Sequence, residues 1–206
     1  MRERKEKPIS MMTDVKINAE ACINAEYKIN ANERIDDLCR DNLKLIQNTD
    51  VFCFGMDAVL LSTFAKAGKN DKVLDLGTGN GIIPILMQAK NPGGMYTGLE
   101  IQDISFNLAA RNVSLNNLSD HVNMVQGDIK EASRIFGGAS FNVVTSNPPY
   151  MNENHGIVNP ESAKAIARHE LLCSLEDVVR EASKCLKVKG HMYMVPVSYT
   201  HLTLPT

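Results

Sequence analysis

From residue 72 onward, short apolar runs alternate with longer stretches of helical period. Residues 72–76, 96–100, 122–126, 141–146 and 191–195 read as strands, each bounded by turn or polar residues. Strands that alternate with helices predict an α/β architecture, a central and mostly parallel sheet with helices on both faces. One intervening helix is well marked. Ser174 and Asp177 form a capping-box pattern, Leu175, Val178, Val179, Ala182 and Leu186 fall on one face, and Gly190 follows the end. A second helix is expected over residues 57–67, ahead of the first strand, with Val59, Leu60, Thr63, Phe64 and Ala67 near one side. Residues 1–32 show no strand pattern. Their small repeat, Ile17-Asn18-Ala19-Glu20, Ile23-Asn24-Ala25-Glu26 and Ile29-Asn30-Ala31-Asn32, has too few copies for a solenoid, so they read as a tail or solvated extension.

Composition narrows this picture without naming a substrate. A chain of 206 residues with 44% apolar residues can bury one sizeable core, and its length suits a single domain. The apolar runs, such as residues 82–87, are far too short to span a bilayer, and no cleavable signal pattern opens the chain. The expectation is a cytoplasmic protein with no membrane partner, taken as a monomer. Cys22, Cys39, Cys53, Cys173 and Cys185 are scattered without a C-x-x-C pair or histidines at ligand spacing, which indicates neither a metal site nor a disulfide framework. The net charge of -2 gives no global push toward nucleic acid.

Chemistry concentrates at the ends of the expected strands. The first runs into Asp75-Leu76-Gly77-Thr78-Gly79-Asn80-Gly81, and a helix starts near Ile82 with Pro84 tolerated in its first turn. Glycines there let backbone approach a ligand, although such turns also serve purely structural ends. A dinucleotide fingerprint needs its third glycine where Ile82 stands, which disfavours NAD. The spacing instead resembles the first motif of Rossmann-like methyltransferases. That resemblance puts Asp75 at the acidic position that organises the loop around the amino-acid end of S-adenosylmethionine. Glu100 ends the second strand, where a carboxylate can accept hydrogen bonds from both ribose hydroxyls of a nucleoside. Asp128 follows the third strand and matches the family position that meets the cofactor's adenine amino group. Singly, each acid is commonly a turn residue or a helix cap. Together they mark the carboxyl edge where open α/β sheets bind ligands.

The fourth strand ends in Asn147-Pro148-Pro149-Tyr150, where two prolines fix φ and stop the strand. Asn-Pro and Pro-Pro are also ordinary loop punctuation. In this context, however, they resemble the signature of amino-group methyltransferases. A planar amino nitrogen has a delocalised lone pair and attacks a sulfonium methyl poorly unless acceptors hold its two N–H protons. The Asn147 side-chain oxygen and the Pro148 carbonyl are such acceptors, and the prolines fix their arrangement. Tyr150 can stack on a planar substrate, a contact worth about 1–3 kcal/mol per base.

The match extends to Glu33-Arg34-Ile35-Asp36-Asp37-Leu38 and Phe54-Gly55-Met56-Asp57-Ala58-Val59-Leu60-Leu61. With these motifs the chain resembles the bacterial tRNA1(Val) adenine-37 N6-methyltransferases over roughly residues 33–195, Ala167-Arg168-His169-Glu170 included. The resemblance implies a Rossmann-like class I fold with S-adenosylmethionine as cofactor and tRNA as partner, methylated at the N6 amino group of an anticodon-loop adenine. It places Phe54, Gly55 and Asp57 at the cofactor's methionine end. Asp75, Gly77, Thr78 and Gly79 form its loop, with Glu100 on the ribose and Asp128 on the adenine. Asn147, which also borders the cofactor, then faces the substrate with Pro148, Pro149 and Tyr150. It leaves Arg168, His169 and Glu170 without a role. The implied organisation is a tail over residues 1–32, a methyltransferase domain over 33–195 and a non-native tail over 196–206, with the sheet truncated before its last two strands. Two other activities fit the same loop, methylation of a protein glutamine amide and of DNA adenine. A non-catalytic S-adenosylmethionine- or RNA-binding scaffold is the reading from another class.

Overall fold

The computed structural model describes residues 29–49, 54–147 and 173–195. Strands β1 (Glu33–Asp37) and β2 (Lys44–Asn48) form an antiparallel hairpin. There follow α1 (Met56–Phe64), β3 (Lys72–Leu76), α2 (Ile82–Lys90), β4 (Met95–Glu100), α3 (Asp103–Leu115), β5 (Val122–Gln126) and a 3-10 turn at Ile129–Glu131. The series closes with α4 (Ala132–Phe136), β6 (Phe141–Ser146), α5 (Leu175–Cys185) and β7 (Leu186–Met194).

The main sheet has the order β5-β4-β3-β6-β7, and every neighbouring pair is parallel. Successive strands run outward from β3 on one side and from β6 on the other. The gap between the carboxyl ends of β3 and β6 is therefore the topological switch point, the place where open α/β sheets bind ligands. Both faces are covered, which is why the strands read as near-continuous apolar runs. Val73, Tyr96, Val122 and Val143 pack on one face with Leu61, Ile85, Met87 and Val113 of α1, α2 and α3. Leu74, Leu76, Leu99 and Val144 pack on the other with Ala132, Val178, Ala182 and Cys185.

Three expected strands, β3, β5 and β6, have the bounds read from the sequence, and β4 starts one residue earlier, at Met95. Three expectations are corrected. Helix α1 ends at Phe64, because Ala65 takes extended backbone with ψ 134°. Its buried positions are Ala58, Leu61 and Ser62, whereas Leu60 and Phe64 are exposed. An apolar side chain on the solvent side breaks the rule used to choose the face.

Helix α5 has its capping box, Asp177 N–H donating to Ser174 Oγ (3.1 Å) and Ser174 N–H to Asp177 Oδ2 (3.1 Å). Its buried face, however, is Val178, Glu181, Ala182 and Cys185, and Leu175 and Val179 stand in solvent. The reason is Glu181, a buried carboxylate. It accepts hydrogen bonds from Ser133 N–H (3.1 Å), Ser133 Oγ (2.7 Å) and Lys184 Nζ (2.7 Å), so the helix turns a charged position inward.

Strand β7 begins at Leu186, directly after α5, rather than at residue 191. Leu186 pairs with Phe141 and His191 with Val143, so residues 187–190 bulge out of the ladder. Val188 there is 92% exposed and Lys189 has φ 66°. The β1–β2 hairpin was not foreseen. It is held from outside by Arg111 on α3, whose guanidinium donates to Glu33 Oε1 (2.7 Å) and Oε2 (2.9 Å).

Candidate active site

The loop after β3 is drawn back over β4. Gly77 N–H and Thr78 N–H both donate to the Leu99 carbonyl, at 2.9 and 3.0 Å, and Gly79 N–H donates to Glu100 Oε2 at 2.9 Å. Gly77, Gly79 and Gly81 have φ values of 72°, 59° and 84°, the left-handed region that a side chain disfavours. The loop needs room on β4 as well. A Cβ at Gly98 would stand 2.6 Å from Met124 Sδ and 2.7 Å from Thr78 Cγ2, so glycine is what lets Thr78 lie down on the strand. A Cβ built at Gly79, by contrast, meets nothing within 4 Å; this loop crest borders open space.

Asp75, inside β3, is buried (1% exposed) on the face toward α1, α2 and α3. Thr145 of β6, its register partner, donates from Oγ1 to Asp75 Oδ1 at 2.7 Å. Burial pushes the Asp75 carboxyl up to about 6; the Thr78 and Thr145 hydroxyls pull it down and the Glu100 charge pushes it further up. Ser146 Oγ, at the end of β6, donates to the Leu76 carbonyl (2.8 Å), which binds the two strand ends together. The next residue, Asn147, therefore stands beside Gly77 at the switch point. Asn147 Oδ1, buried in this region, has no hydrogen-bond partner among the described residues, and Asp75 Oδ2 and Thr78 Oγ1 form no well-aligned hydrogen bond there, although the Thr78 hydroxyl lies near enough to the Asp75 carboxyl to lower its pKa. Orphaned buried polar atoms are rare because each forfeits its hydration.

The β4 and β5 side of the edge differs. Glu100 is buried, and its Oε1 accepts from Gln102 N–H (2.9 Å) while Oε2 holds the loop. Asp128 Oδ1 accepts from Lys130 N–H at 2.9 Å and caps the 3-10 turn. Gly55 is the N-cap of α1 and Asp57 is exposed in its first turn; neither bonds to the glycine loop among the described residues. Phe54 packs against the core. Thus Asp75, the glycine loop, Glu100 and Asn147 are brought to one edge, with Asp128 two strands away. Pro148, Pro149 and Tyr150, and with them Arg168, His169 and Glu170, lie outside the described residues. Sequence reasoning missed Thr145 and Ser146, the hydroxyls that hold Asp75 and tie the end of β6 to β3. The signal was two polar residues closing an otherwise apolar strand just before Asn147.

A cavity of about 360 Å³ lies elsewhere, at the amino-terminal end of the strands, lined by Lys66, Lys69, Lys90, Asn91 and Tyr96 among others. Two of its polar groups hold the chain after α1: Lys90 Nζ donates to the Ala65 carbonyl (2.8 Å) and Asn91 Nδ2 to the Ala67 carbonyl (2.9 Å).

The family described as methyltransferase small domain matches residues 42–205. Among curated relatives, the tRNA1(Val) (adenine(37)-N6)-methyltransferase of Porphyromonas gingivalis is 29% identical over 147 residues, 68% of this chain and 57% of the relative. Its counterpart from a Flavobacteriaceae bacterium is 26% identical over 150 residues, 72% of this chain and 61% of the relative. The chain spans less than two thirds of the length of either. Among solved structures, geranyl diphosphate C-methyltransferase from Streptomyces coelicolor, in complex with S-adenosyl-L-homocysteine, superposes with a TM-score of 0.50 at 18% identity, covering 68% of this chain and 45% of that one. A predicted O-methyltransferase from Agrobacterium tumefaciens gives 0.51 at 20% identity, covering 68% and 60%. At these identities the likeness is one of fold, the Rossmann-like class I methyltransferase sheet.

Proposed function

The chain belongs to the methyltransferase small domain family, and on that footing we propose that it transfers a methyl group from S-adenosylmethionine to the N6 amino group of an adenine in tRNA, position 37 of a valine tRNA. The names of its relatives support the substrate. The residues present fit the cofactor. Open space over Gly79 and the buried Asp75 carboxylate, whose Oδ2 has no well-aligned hydrogen bond among the described residues, suit a group that carries an ammonium and hydroxyl donors. In this reading Asp75, Gly77, Thr78 and Gly79 hold the amino-acid end, where Phe54, Gly55 and Asp57 close the other side. Glu100 takes the ribose hydroxyls on lone pairs that its two backbone partners leave free, and Asp128 meets the adenine. When bound, the cofactor supplies an electrophilic methyl on a sulfonium sulfur.

The observation that carries the proposal is Asn147 Oδ1, buried and without a partner among the described residues at the switch point. An acceptor left unsatisfied there is poised for an N–H donor, and the substrate amino group brings two. Asn147 would accept one and the Pro148 carbonyl the other. The lone pair is thereby turned out of the ring plane and aimed at the methyl, while Tyr150 stacks on the base. No helix of the described residues is long and apolar enough to cross a membrane, and the proposed setting is the cytoplasm, with residues 33–195 as the catalytic domain.

The test is methyl transfer from labelled S-adenosylmethionine to a tRNA1(Val) transcript and to the same transcript with position 37 replaced by guanine. A glutamine-containing release-factor-like protein runs alongside. Label on the first alone is expected; label only on the protein, or on both transcripts equally, would overturn the proposal.

A further inference from the structure

Besides the Arg111–Glu33 pair, the β1–β2 hairpin is joined to the domain by two asparagines one helical turn apart, Asn112 on α3 and Asn116 at its C-cap. Asn112 Oδ1 accepts from Ile46 N–H (2.7 Å) and its Nδ2 donates to the Ile46 carbonyl (3.0 Å). Asn116 repeats the pattern, with Oδ1 accepting from Lys44 N–H (2.9 Å) and Nδ2 donating to the Lys44 carbonyl (2.7 Å). Each amide thus imitates the peptide group of a neighbouring strand. The match is geometric, since side chains four apart on a helix lie about 5–6 Å from one another and residues two apart on a strand about 6.6 Å. Because Ile46 offers one donor and one acceptor, the orientation of each Asn112 amide atom is fixed by its partners.

The two asparagines differ in what their remaining hydrogen does. That of Asn116 returns to its own helix, at the Asn112 carbonyl (2.8 Å). That of Asn112 goes to the Asn80 carbonyl (3.0 Å), inside the glycine loop. Asn112 is 0% exposed and Asn80 is 6% exposed, so water cannot replace this bond. Asn80 Oδ1 in turn accepts from Ile82 N–H (3.3 Å) at the start of α2. The loop is therefore gripped on two sides, by Glu100 at Gly79 and by Asn112 at Asn80.

We propose that Asn112 is a positioning residue for the glycine loop, tying the seating of the β1–β2 hairpin to the shape of the cofactor pocket. The consequence for cofactor affinity rests on the function proposed above; the consequence for the loop does not. Asn116 is the internal control, since it holds the same strand and never touches the loop.

Two measurements on the full chain test this in Asn112→Ala and Asn116→Ala. In the ligand-free protein, amide hydrogen exchange at Gly79, Gly81 and Ile82 is expected to speed up about tenfold in Asn112→Ala and to stay unchanged in Asn116→Ala. In calorimetric titration, Asn112→Ala is expected to bind S-adenosylhomocysteine about tenfold more weakly and Asn116→Ala within about twofold of the unchanged chain. Should Asn112→Ala fail to fold, Asn112→Ser, which leaves a small polar group in place of the amide and loses the reach to Asn80, takes its place. Equal loop exchange, or equal affinity, in the two variants would overturn the role of Asn112. An unchanged chain that binds no S-adenosylhomocysteine would overturn the function proposal instead, leaving the exchange result to judge Asn112.

Discussion

The two sides of the ligand edge are built on opposite principles. On the β4–β5 side every named carboxylate is satisfied: Glu100 by two backbone amides, Asp128 by the cap it makes. On the β3–β6 side Asn147 Oδ1 lacks a partner among the described residues, and the Thr78 hydroxyl meets the buried Asp75 carboxyl without a well-aligned hydrogen bond. The first side is a finished support whose remaining lone pairs can serve a ligand. The second holds stored desolvation cost that a ligand with N–H or O–H donors would relieve, which is where transition-state interactions are expected to act.

The sharpest way to break this contrast is Asn147→Ala. If the orphaned oxygen acts on the substrate amino group, single-turnover methyl transfer should fall by about a hundredfold or more, with cofactor affinity changed by no more than a few-fold. Next in size is the pH response of Asp75. Its carboxyl is raised from 3.8 to about 6 in the folded chain, first by burial. The folded state then binds this proton more tightly than the unfolded state. The stability it contributes is complete below 3.8 and is lost as pH rises through about 6, at up to ~1.4 kcal/mol per pH unit. Denaturant melts between about pH 4 and 6 should show that slope in the ligand-free chain and lose it in Asp75→Asn. Cofactor binding should run the other way in the unchanged chain, weakening below about pH 6.

Gly98→Ala probes the support beneath Thr78. The added Cβ must displace both Thr78 and the Met124 sulfur, and a loss of about 1–3 kcal/mol in unfolding free energy is expected, with weaker cofactor binding. The smallest effect belongs to the finished side. Asp128→Ala should cost about 1 kcal/mol of stability through the lost cap. A purely structural Asp128 would leave the affinity for S-adenosylhomocysteine untouched, whereas a ligand contact would lower it as well.

The residues themselves determined the strands that carry the site, because β3, β5 and β6 are short runs rich in valine and other apolar residues and end in turn residues, Gly77, Gly127 and Asn147-Pro148. They also determined the Ser174 capping box, a purely local device. Motif and order were enough to bring Asp75, Glu100 and Asn147 to one edge. What only the tertiary structure decided is everything that depends on a partner far away in sequence. The charged Glu33–Asp37 segment has no strand-like alternation and becomes a strand because Arg111 and β2 pair with it. Glu181 is buried because Ser133 and Lys184 reach it, and it turns α5 away from its apolar pattern. The unpartnered state of the Asn147 oxygen among the described residues is likewise invisible in the chain, since hydrogen bonding is a property of neighbours in space, and those neighbours are set by how the strands are ordered.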